Sequence, residues 1–180
     1  LGDMGADVIK VESVSSGDAL RSTPPRRHSL SAYYFCANRN KRSICIDVSK
    51  AAGADLVRRL AERSDVLIEN FRPGTLEKWG LGYDELRQHR PDLVMTRISG
   101  YGQTGPYSHK PGYGVIAEAM SGLRHMIGDA DRPPSRVAIP LTDYISAIYA
   151  ALGTVMAVLA REKTGCGQCV DVSLLECAFS

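Results

Sequence analysis

The sequence lacks several features that would each indicate a familiar class of protein. Its 22 basic side chains nearly balance its 20 acidic ones, and this net charge of +2 leaves no electrostatic footprint for binding nucleic acid. It has no phosphate-binding loop of the Walker type, no pair of zinc-protease histidines and no nucleophile elbow around Ser99. These absences argue against nucleotide hydrolysis, zinc peptidase and serine hydrolase chemistry.

Cysteine is present but does not form a disulfide pattern. Five cysteines are an odd number, and a chain of 180 residues can bury a core without disulfides. We therefore expect reduced thiols and a cytoplasmic location, or a mitochondrial matrix in a eukaryote; no basic, apolar leader is visible at the N-terminus. Cys166 and Cys169 have the spacing of a metal or redox pair, but a second pair of ligands is not nearby, so no metal site is predicted.

The apolar residues alternate between strand-like and helix-like patterns. Composition is that of a soluble globular protein, with 44% hydrophobic and 23% charged residues. Strands are predicted at residues 8–12, 43–47, 65–69, 93–98 and 170–172, with helical patterns between most of them. This alternation predicts one α/β domain, a parallel sheet with helices on both faces. Ligands of such sheets bind beyond the carboxyl ends of the strands.

A long uncharged segment follows Pro140. Thr142 and Asp143 are favourable N-cap residues, and the segment from Tyr144 to Ala160 predicts a buried helix. An Asp at such a place is most often only a cap, and as an anion it is stabilised by the helix dipole by up to ~1 kcal/mol. The segment is at the lower length limit for crossing a bilayer, and its small and polar residues favour a soluble helix. Its predicted buried stripe consists of Ile145, Ile148, Leu152, Val155, Met156 and Leu159.

Three polar segments have compositions that suit a ligand. Glycines in Gly100–Gly105 and in Pro111–Gly114 permit close approach of the backbone to a bound molecule, although they also serve ordinary turns. Three cations in Asn38–Arg42 could hold phosphates, with a solvated basic surface as the alternative.

Eight short blocks occur in an order that resembles one family. Together they are similar to the class III CoA-transferases, the family of formyl-CoA transferase and carnitine CoA-transferase, to which α-methylacyl-CoA racemase is related. Because members are about twice this length, we expect residues 1–180 to be part of a Rossmann-like large domain, cut at both ends and without the second domain. The isolated chain is therefore predicted to be inactive. The blocks are Gly5–Glu12, Asn40–Ile44, Asp65–Gly74, Gly80–Tyr83, Ile98–Pro106, Pro111–Tyr113, Met120–Leu123 and Gly167–Gln168.

The resemblance implies a set of functional residues. The catalytic aspartate of the family falls on Asp143. Ser13 stands where relatives often have an arginine, and Gly114 where many have an acid, so contacts at these two positions are not carried over. The resemblance also implies coenzyme A or acyl-CoA as substrate, no permanently bound cofactor, and an interlocked homodimer without nucleic-acid or membrane partners. The positions implied to contact CoA are Ile46, Asp47, Val48, Ser49, Asn70, Phe71, Arg72, Lys78, Pro111, Gly112 and Tyr113, with Lys41, Arg42, Arg72 and Lys78 as candidates for its phosphates.

The resulting hypothesis is transfer of CoA from an acyl-CoA donor to a carboxylic acid through a covalent intermediate on Asp143. One alternative is an α-methylacyl-CoA racemase, which would need a base at Tyr113; an unperturbed tyrosine, with a pKa near 10, is a poor base at neutral pH. The other is a CoA- or nucleotide-binding module without catalysis, in which Asp143 only caps its helix. The identities of the donor and acceptor acids stay open.

Overall fold

Parallel strands joined by helices make up the computed structural model, which describes residues 1–180. Close contacts group the chain into two units, Leu1–Arg58 and Arg59–Ser180. Each unit has its own ladder of parallel strands. The predicted α/β class is confirmed.

The first unit contains a two-stranded parallel ladder. It opens with a 3₁₀ turn, Gly2–Met4, that ends at Gly5, whose φ of 98° lies in the left-handed region that favours glycine. Strand β1 (Val8–Glu12) then pairs with β4 (Lys41–Cys45), with Val8 opposite Lys41. The elements after β1 are a 3₁₀ turn (Ala19–Ser22), the hairpin β2 (Arg26–Arg27) and β3 (Leu30–Ser31), α1 (Ala32–Asn38) and β4 (Lys41–Cys45).

A buried carboxylate organises this unit. Glu12 ends β1 and accepts hydrogen bonds from Arg21 Nε at 2.8 Å, Tyr34 Oη at 3.0 Å and Ser43 Oγ at 2.7 Å. The backbone N–H of Asp18 donates to the same carboxylate at 2.9 Å. Arg21, then the smaller donors, hold the pKa of Glu12 far below its usual value against the opposing effect of burial. These hydrogen bonds from Asp18 and Arg21 therefore hold the segment after β1 against the end of that strand.

The second unit is built on a three-stranded parallel sheet in the order β5 (Val66–Glu69), β6 (Val94–Ser99), β7 (Cys169–Ser173). Val94, Met95 and Thr96 of the central strand β6 are fully buried. Parallel neighbours need long crossovers, and the connection from β6 to β7 carries two helices. The helices of the chain after α1 are α2 (Ala51–Ala61), α3 (Thr75–Lys78), α4 (Tyr83–His89), α5 (Gly114–Met120), α6 (Leu141–Thr164) and α7 (Leu174–Phe179).

Helix α6 packs on β6 and β7 through its small residues, so the predicted buried stripe is wrong. Small side chains let the helix approach the sheet closely, and Thr154 Oγ1 lies 2.7 Å from Thr96 Oγ1 on β6. Of the predicted stripe, Ile145 packs against the core, whereas Ile148 is 67% exposed and Met156 is 60% exposed. Leu152, Val155 and Leu159 are exposed too. The buried face consists of Thr142, Ser146, Ala150, Thr154 and Ala157.

By length and composition, α6 is also a helix that could cross a membrane. Its most apolar window has a mean hydropathy of 1.5, and 22% of that window is buried. Core helices of soluble proteins meet the same criteria, and α6 packs on β6 and β7 along one whole face.

Candidate active site

Asp143 lies in the first turn of α6 without capping it. The helix begins at Leu141, Pro140 occupies the N-cap position, and no side chain accepts a capping hydrogen bond there. The interpretation of Asp143 as a cap is therefore wrong, because the helix starts three residues earlier than a cap at Asp143 would require. Its carboxylate accepts a bond from its own backbone N–H. The carboxylate remains available for chemistry.

Gly114, the first residue of α5, lies directly against this carboxylate. A Cβ atom at residue 114 would come within 2.5 Å of Asp143 Oδ2 and would also collide with Thr142 Oγ1. Only glycine leaves this space open. An acidic side chain at position 114 would collide with the Asp143 carboxylate where it lies in this structure.

The glycine-rich segment after β6 completes the surroundings of Asp143. The backbones of Gly100 and Gly112 touch, since a Cβ on Gly112 would lie 2.5 Å from the Cα of Gly100. The N–H of Gln103 donates to Asp171 Oδ2 on β7 at 2.8 Å, which fixes the loop to the sheet. The predicted turn Pro111–Tyr113, the glycine loop and Asp143 are thus brought together beyond the carboxyl end of β6, where parallel sheets bind ligands.

The electrostatic environment of Asp143 differs from the one expected at a helix start. Although the side chain is exposed in part, burial raises the pKa of Asp143, and the charge of Glu118 raises it further. The bond from its own N–H and the charge of Arg136 act in the opposite direction. Loss of water around the carboxylate thus acts against the stabilisation expected from the helix dipole and is the largest cause of the raised pKa of Asp143.

Several buried polar atoms of the second unit have no hydrogen-bond partner. They include Thr142 Oγ1, Ser99 Oγ, Glu118 Oε2, and Nε and Nη2 of Arg124. Buried polar groups are usually bonded, so such a group needs an explanation. Sequence reasoning missed Glu118 and Arg124; the one available signal is a charged residue in the otherwise uncharged segment Val115–Gly122.

The predicted CoA-contacting residues Asn70–Arg72 lie in the loop after β5. The loop is held in place by the buried Glu69, whose Oε2 accepts a hydrogen bond from the N–H of Phe71 at 2.7 Å. Arg97 Nε in turn donates to Glu69 Oε1 at 2.6 Å. Arg97 Nη1 also donates to Glu77 at 2.6 Å. Asn70, Phe71 and Arg72 are exposed, as is Lys78 at the end of α3. All four side chains are open to a ligand.

The remaining predicted contacts, Ile46 to Ser49, follow β4 in the first unit. Ile46 is buried, whereas Asp47 is exposed and accepts a bond from Ser49 Oγ at 2.6 Å, which lowers the pKa of Asp47. Of the predicted phosphate-binding cations in this unit, Arg42 donates to Asp7 at 2.6 Å and Lys41 to Asn38 at 3.3 Å. Both cations have partners within the chain, and their contact with CoA stays a prediction.

The structure contains no cluster of three or more His, Cys, Asp or Glu side chains that could hold a metal ion. Cys166 and Cys169 are free thiols at the surface.

Comparison with known proteins decides the family. The profile described as CoA-transferase family III matches residues 1–180. The chain belongs to CoA-transferase family III. Two family relatives are the succinyl-CoA–D-citramalate CoA-transferase of Chloroflexus aurantiacus, 47% identical, and the succinyl-CoA:glutarate CoA-transferase of Mus musculus, 44% identical. The alignments cover 98% and 97% of this chain but 44% and 40% of the relatives, so the chain spans less than half their length.

Solved structures of the family have the same fold. A CAIB/BAIF family protein from Brucella suis is 38% identical and superposes with a TM-score of 0.93 over 98% of this chain and 48% of its own. The protein Rv3272 from M. tuberculosis is 36% identical, with a TM-score of 0.89 over 98% of this chain and 50% of its own. The resemblance to class III CoA-transferases drawn from the eight sequence blocks is confirmed.

Proposed function

We propose that the complete protein transfers CoA from an acyl-CoA donor to a carboxylic acid, and that Asp143 is the residue that becomes acylated. The observation that carries this proposal is the position of the Asp143 carboxylate. It makes no capping hydrogen bond to α6, and it lies beside the Gly114 backbone, beyond the carboxyl end of β6. Family membership and the transferase names of the relatives support it.

The proposed reaction exchanges activated acyl groups of similar energy. A carboxylate oxygen of Asp143 attacks the thioester carbon, forming an O–C bond, and the C–S bond breaks with its electron pair leaving on the CoA thiolate. The thiolate then attacks the Asp143 carbonyl carbon of the mixed anhydride, which releases the donor acid and leaves an aspartyl-CoA thioester. An acceptor carboxylate reverses these two steps and departs as its own CoA thioester.

The structure suits the charge that develops in these steps. The tetrahedral intermediates carry an oxyanion that needs donors already in place. Thr142 Oγ1 is fully buried, has no partner and belongs to the residue before Asp143, so it is our candidate donor. Asp143 itself, with a raised pKa, is a stronger nucleophile once ionised than an ordinary aspartate.

CoA is proposed to bind along the edge formed by the strand ends. Arg72 and Lys78, both exposed, are suited to its phosphates, and the Phe71 ring offers an apolar surface. Pro111 to Tyr113 are proposed as further contacts in the second unit, with the Gly100–Gly105 loop admitting the acyl group. Ile46 to Ser49 are proposed as contacts of the first unit, each unit being considered by itself. No other cofactor is required by this chemistry.

Succinyl-CoA is the proposed donor and a dicarboxylic acid the proposed acceptor. The two relatives are named for transfer from succinyl-CoA, and citramalate and glutarate are both dicarboxylates. A panel of mono- and dicarboxylic acids tested with the complete protein and succinyl-CoA distinguishes this acceptor class from simple fatty acids.

Trapping the acyl intermediate tests the catalytic role of Asp143. The complete protein is incubated with succinyl-CoA and hydroxylamine, and the peptide containing residue 143 is weighed by mass spectrometry. A hydroxamate on Asp143, absent in Asp143→Ala, supports transfer. Asp84→Ala removes a comparable exposed aspartate on α4 and should retain both adduct and turnover.

The same experiment separates the alternatives. Exchange of the α-proton of a 2-methylacyl-CoA without an adduct on Asp143 would indicate racemisation. CoA binding without either reaction would indicate a binding module. Transfer at the normal rate by Asp143→Ala would refute the proposed nucleophile.

The complete protein is also proposed to be an interlocked homodimer in the cytoplasm. The exposed apolar face of α6, including Ile148, Leu152 and Met156, is more apolar surface than a lone soluble helix normally shows and needs a cover. Light scattering on the complete protein tests the stoichiometry; a monomer at micromolar concentration would contradict it.

A further inference from the structure

Glu118 is a buried carboxylate that the proposed reaction does not yet use. It lies in the last full turn of α5, is 1% exposed, and its Oε2 has no hydrogen-bond partner. The nearest cation is Arg124, whose Nε is 3.5 Å from Oε2 and makes no hydrogen bond. A buried carboxylate usually collects several donors, as Glu12 does in this chain. Glu118 is thus a buried carboxylate that is paired with Arg124 but has one oxygen without a hydrogen bond.

The helix places this charge near Asp143. Gly114, which touches the Asp143 carboxylate, lies four residues before Glu118 on α5, and residues four apart share one face of a helix. Glu118 accordingly raises the pKa of Asp143 by direct repulsion between the two charges.

We propose that Glu118 is a positioning residue that acts through Asp143, its buried charge favouring acylation because acylation removes the neighbouring negative charge. The inference rests on the proposed function, since it concerns the acylation of Asp143. Before the reaction the buried Glu118 carboxylate and the partly exposed Asp143 carboxylate repel each other. When the O–C bond to the acyl group forms and the C–S bond breaks, the negative charge leaves with the CoA thiolate and the repulsion is relieved.

Apart from Arg124, which pairs with Glu118 at 3.5 Å, the charged groups around the two carboxylates are exposed, neutral or engaged elsewhere. Arg136 acts on Asp143 in the opposite direction and is exposed, so solvent screens it. On α7, the nearby ionisable group is the buried Cys177, whose thiol burial keeps neutral by raising its pKa. The charged side chains of the strands under α6 are engaged elsewhere, Arg97 with Glu69 and Glu77, and Asp171 with the glycine loop.

The test compares Glu118→Gln with wild type in the complete protein. Glutamine keeps the size of the side chain and removes the charge. Without any substrate, carbodiimide labelling of Asp143 followed by mass spectrometry across a pH series reports where its carboxyl titrates. In single-turnover reactions with succinyl-CoA, release of CoA thiol reports acylation. Glu176→Gln, an exposed glutamate on α7, is the matched control.

Removal of the repelling charge should move the labelling midpoint of Asp143 to lower pH by about half a unit to one unit. The pH below which the acylation rate falls should shift in the same direction. At neutral pH the acylation rate should decrease by up to about tenfold. Glu118→Asp, which keeps the charge, should restore most of the rate, and Glu176→Gln should behave as wild type. A purely structural role would lower the rate at every pH without moving either midpoint.

The possible failures are distinguishable. If wild-type Asp143 is never acylated but its labelling midpoint moves in Glu118→Gln, the proposed function fails and the coupling stands. If acylation occurs and neither midpoint moves in a folded Glu118→Gln variant, the inference is overturned. Should Glu118→Gln not fold, the double variant Glu118→Met with Arg124→Met replaces both partners by apolar side chains, which buried pairs often tolerate. This double variant must still lower the pH midpoint of Asp143 labelling, and an unchanged midpoint overturns the inference.

Discussion

Replacing Gly114 with alanine is predicted to damage catalysis more than folding. The added Cβ would lie 2.5 Å from Asp143 Oδ2, and ordinary contact begins near 3.4 Å, so the carboxylate must move by about 1 Å. Oδ2 is the end of a side chain that can rotate away, as is the Thr142 hydroxyl, so the backbone can stay in place. A displacement of about 1 Å at a reacting group can cost on the order of 100-fold in rate.

The cost in stability should be smaller. Overpacking a tight site costs about 1 to 3 kcal/mol, and replacing glycine with alanine returns about 0.4 to 1 kcal/mol through the unfolded state. We therefore expect a net loss between about 0 and about 2.6 kcal/mol, against about 2.7 kcal/mol of lost transition-state stabilisation.

The assay is transfer from succinyl-CoA by the complete protein, with urea denaturation of the same samples. Gly153→Ala is the matched control, since its Cβ would meet only Val170 Cγ1, at 2.8 Å, in the middle of α6. That variant should lose stability through the contact with Val170 but keep most of its activity, because the added atom does not meet Asp143. Normal turnover by Gly114→Ala, or equal losses of activity in both variants, would refute the steric reasoning.

Four further outcomes are expected. The rate of CoA transfer should fall as pH drops through the raised pKa of Asp143, because the protonated carboxyl cannot attack. A transfer rate that does not fall at acid pH would contradict this. Asp143→Asn should abolish transfer yet slightly stabilise the fold at neutral pH in urea melts, since a raised folded-state pKa means that stability declines as pH rises through it. Arg97→Met should lower the free energy of unfolding by about 3 to 5 kcal/mol, because it leaves buried Glu69 unpaired; a loss below 1 kcal/mol would disagree. The isolated 180-residue chain should be inactive and self-associate, and the joint change Ile148→Lys with Met156→Lys should reduce its light scattering.

The sequence located the elements of this fold better than it located their contacts. Strand β1 was predicted with the observed bounds, because its apolar residues are followed directly by turn residues. Asp143 was found from Pro140 and the uncharged segment behind it, signals that depend only on neighbours in the chain. Its relation to Gly114 depends on how two helices pack, and no local pattern encodes that distance.

The orientation of α6 shows why the remaining features could not be predicted. Hydrophobic periodicity assumes that the most apolar face is buried, whereas here Ala150 and Ala157 face the sheet and larger residues face outward. Close packing of small residues against the sheet won over burial of large ones. Glu118 escaped notice for a similar reason, because a single acid in a short helix is normally a surface residue.

The hydroxyl pair between Thr96 and Thr154 also helps to hold α6, and with it the proposed nucleophile Asp143, in place on the sheet. Those two oxygens, 2.7 Å apart, pin α6 against the central strand three turns away from Asp143. Side-chain atoms lie about 5 to 6 Å from a helix axis, so a swivel of only 10° would sweep the carboxylate through about 1 Å. Thr154 is thereby predicted to affect the reaction from a distance. A substitution that removes its contact with Thr96 would let α6 turn and would displace the Asp143 carboxylate.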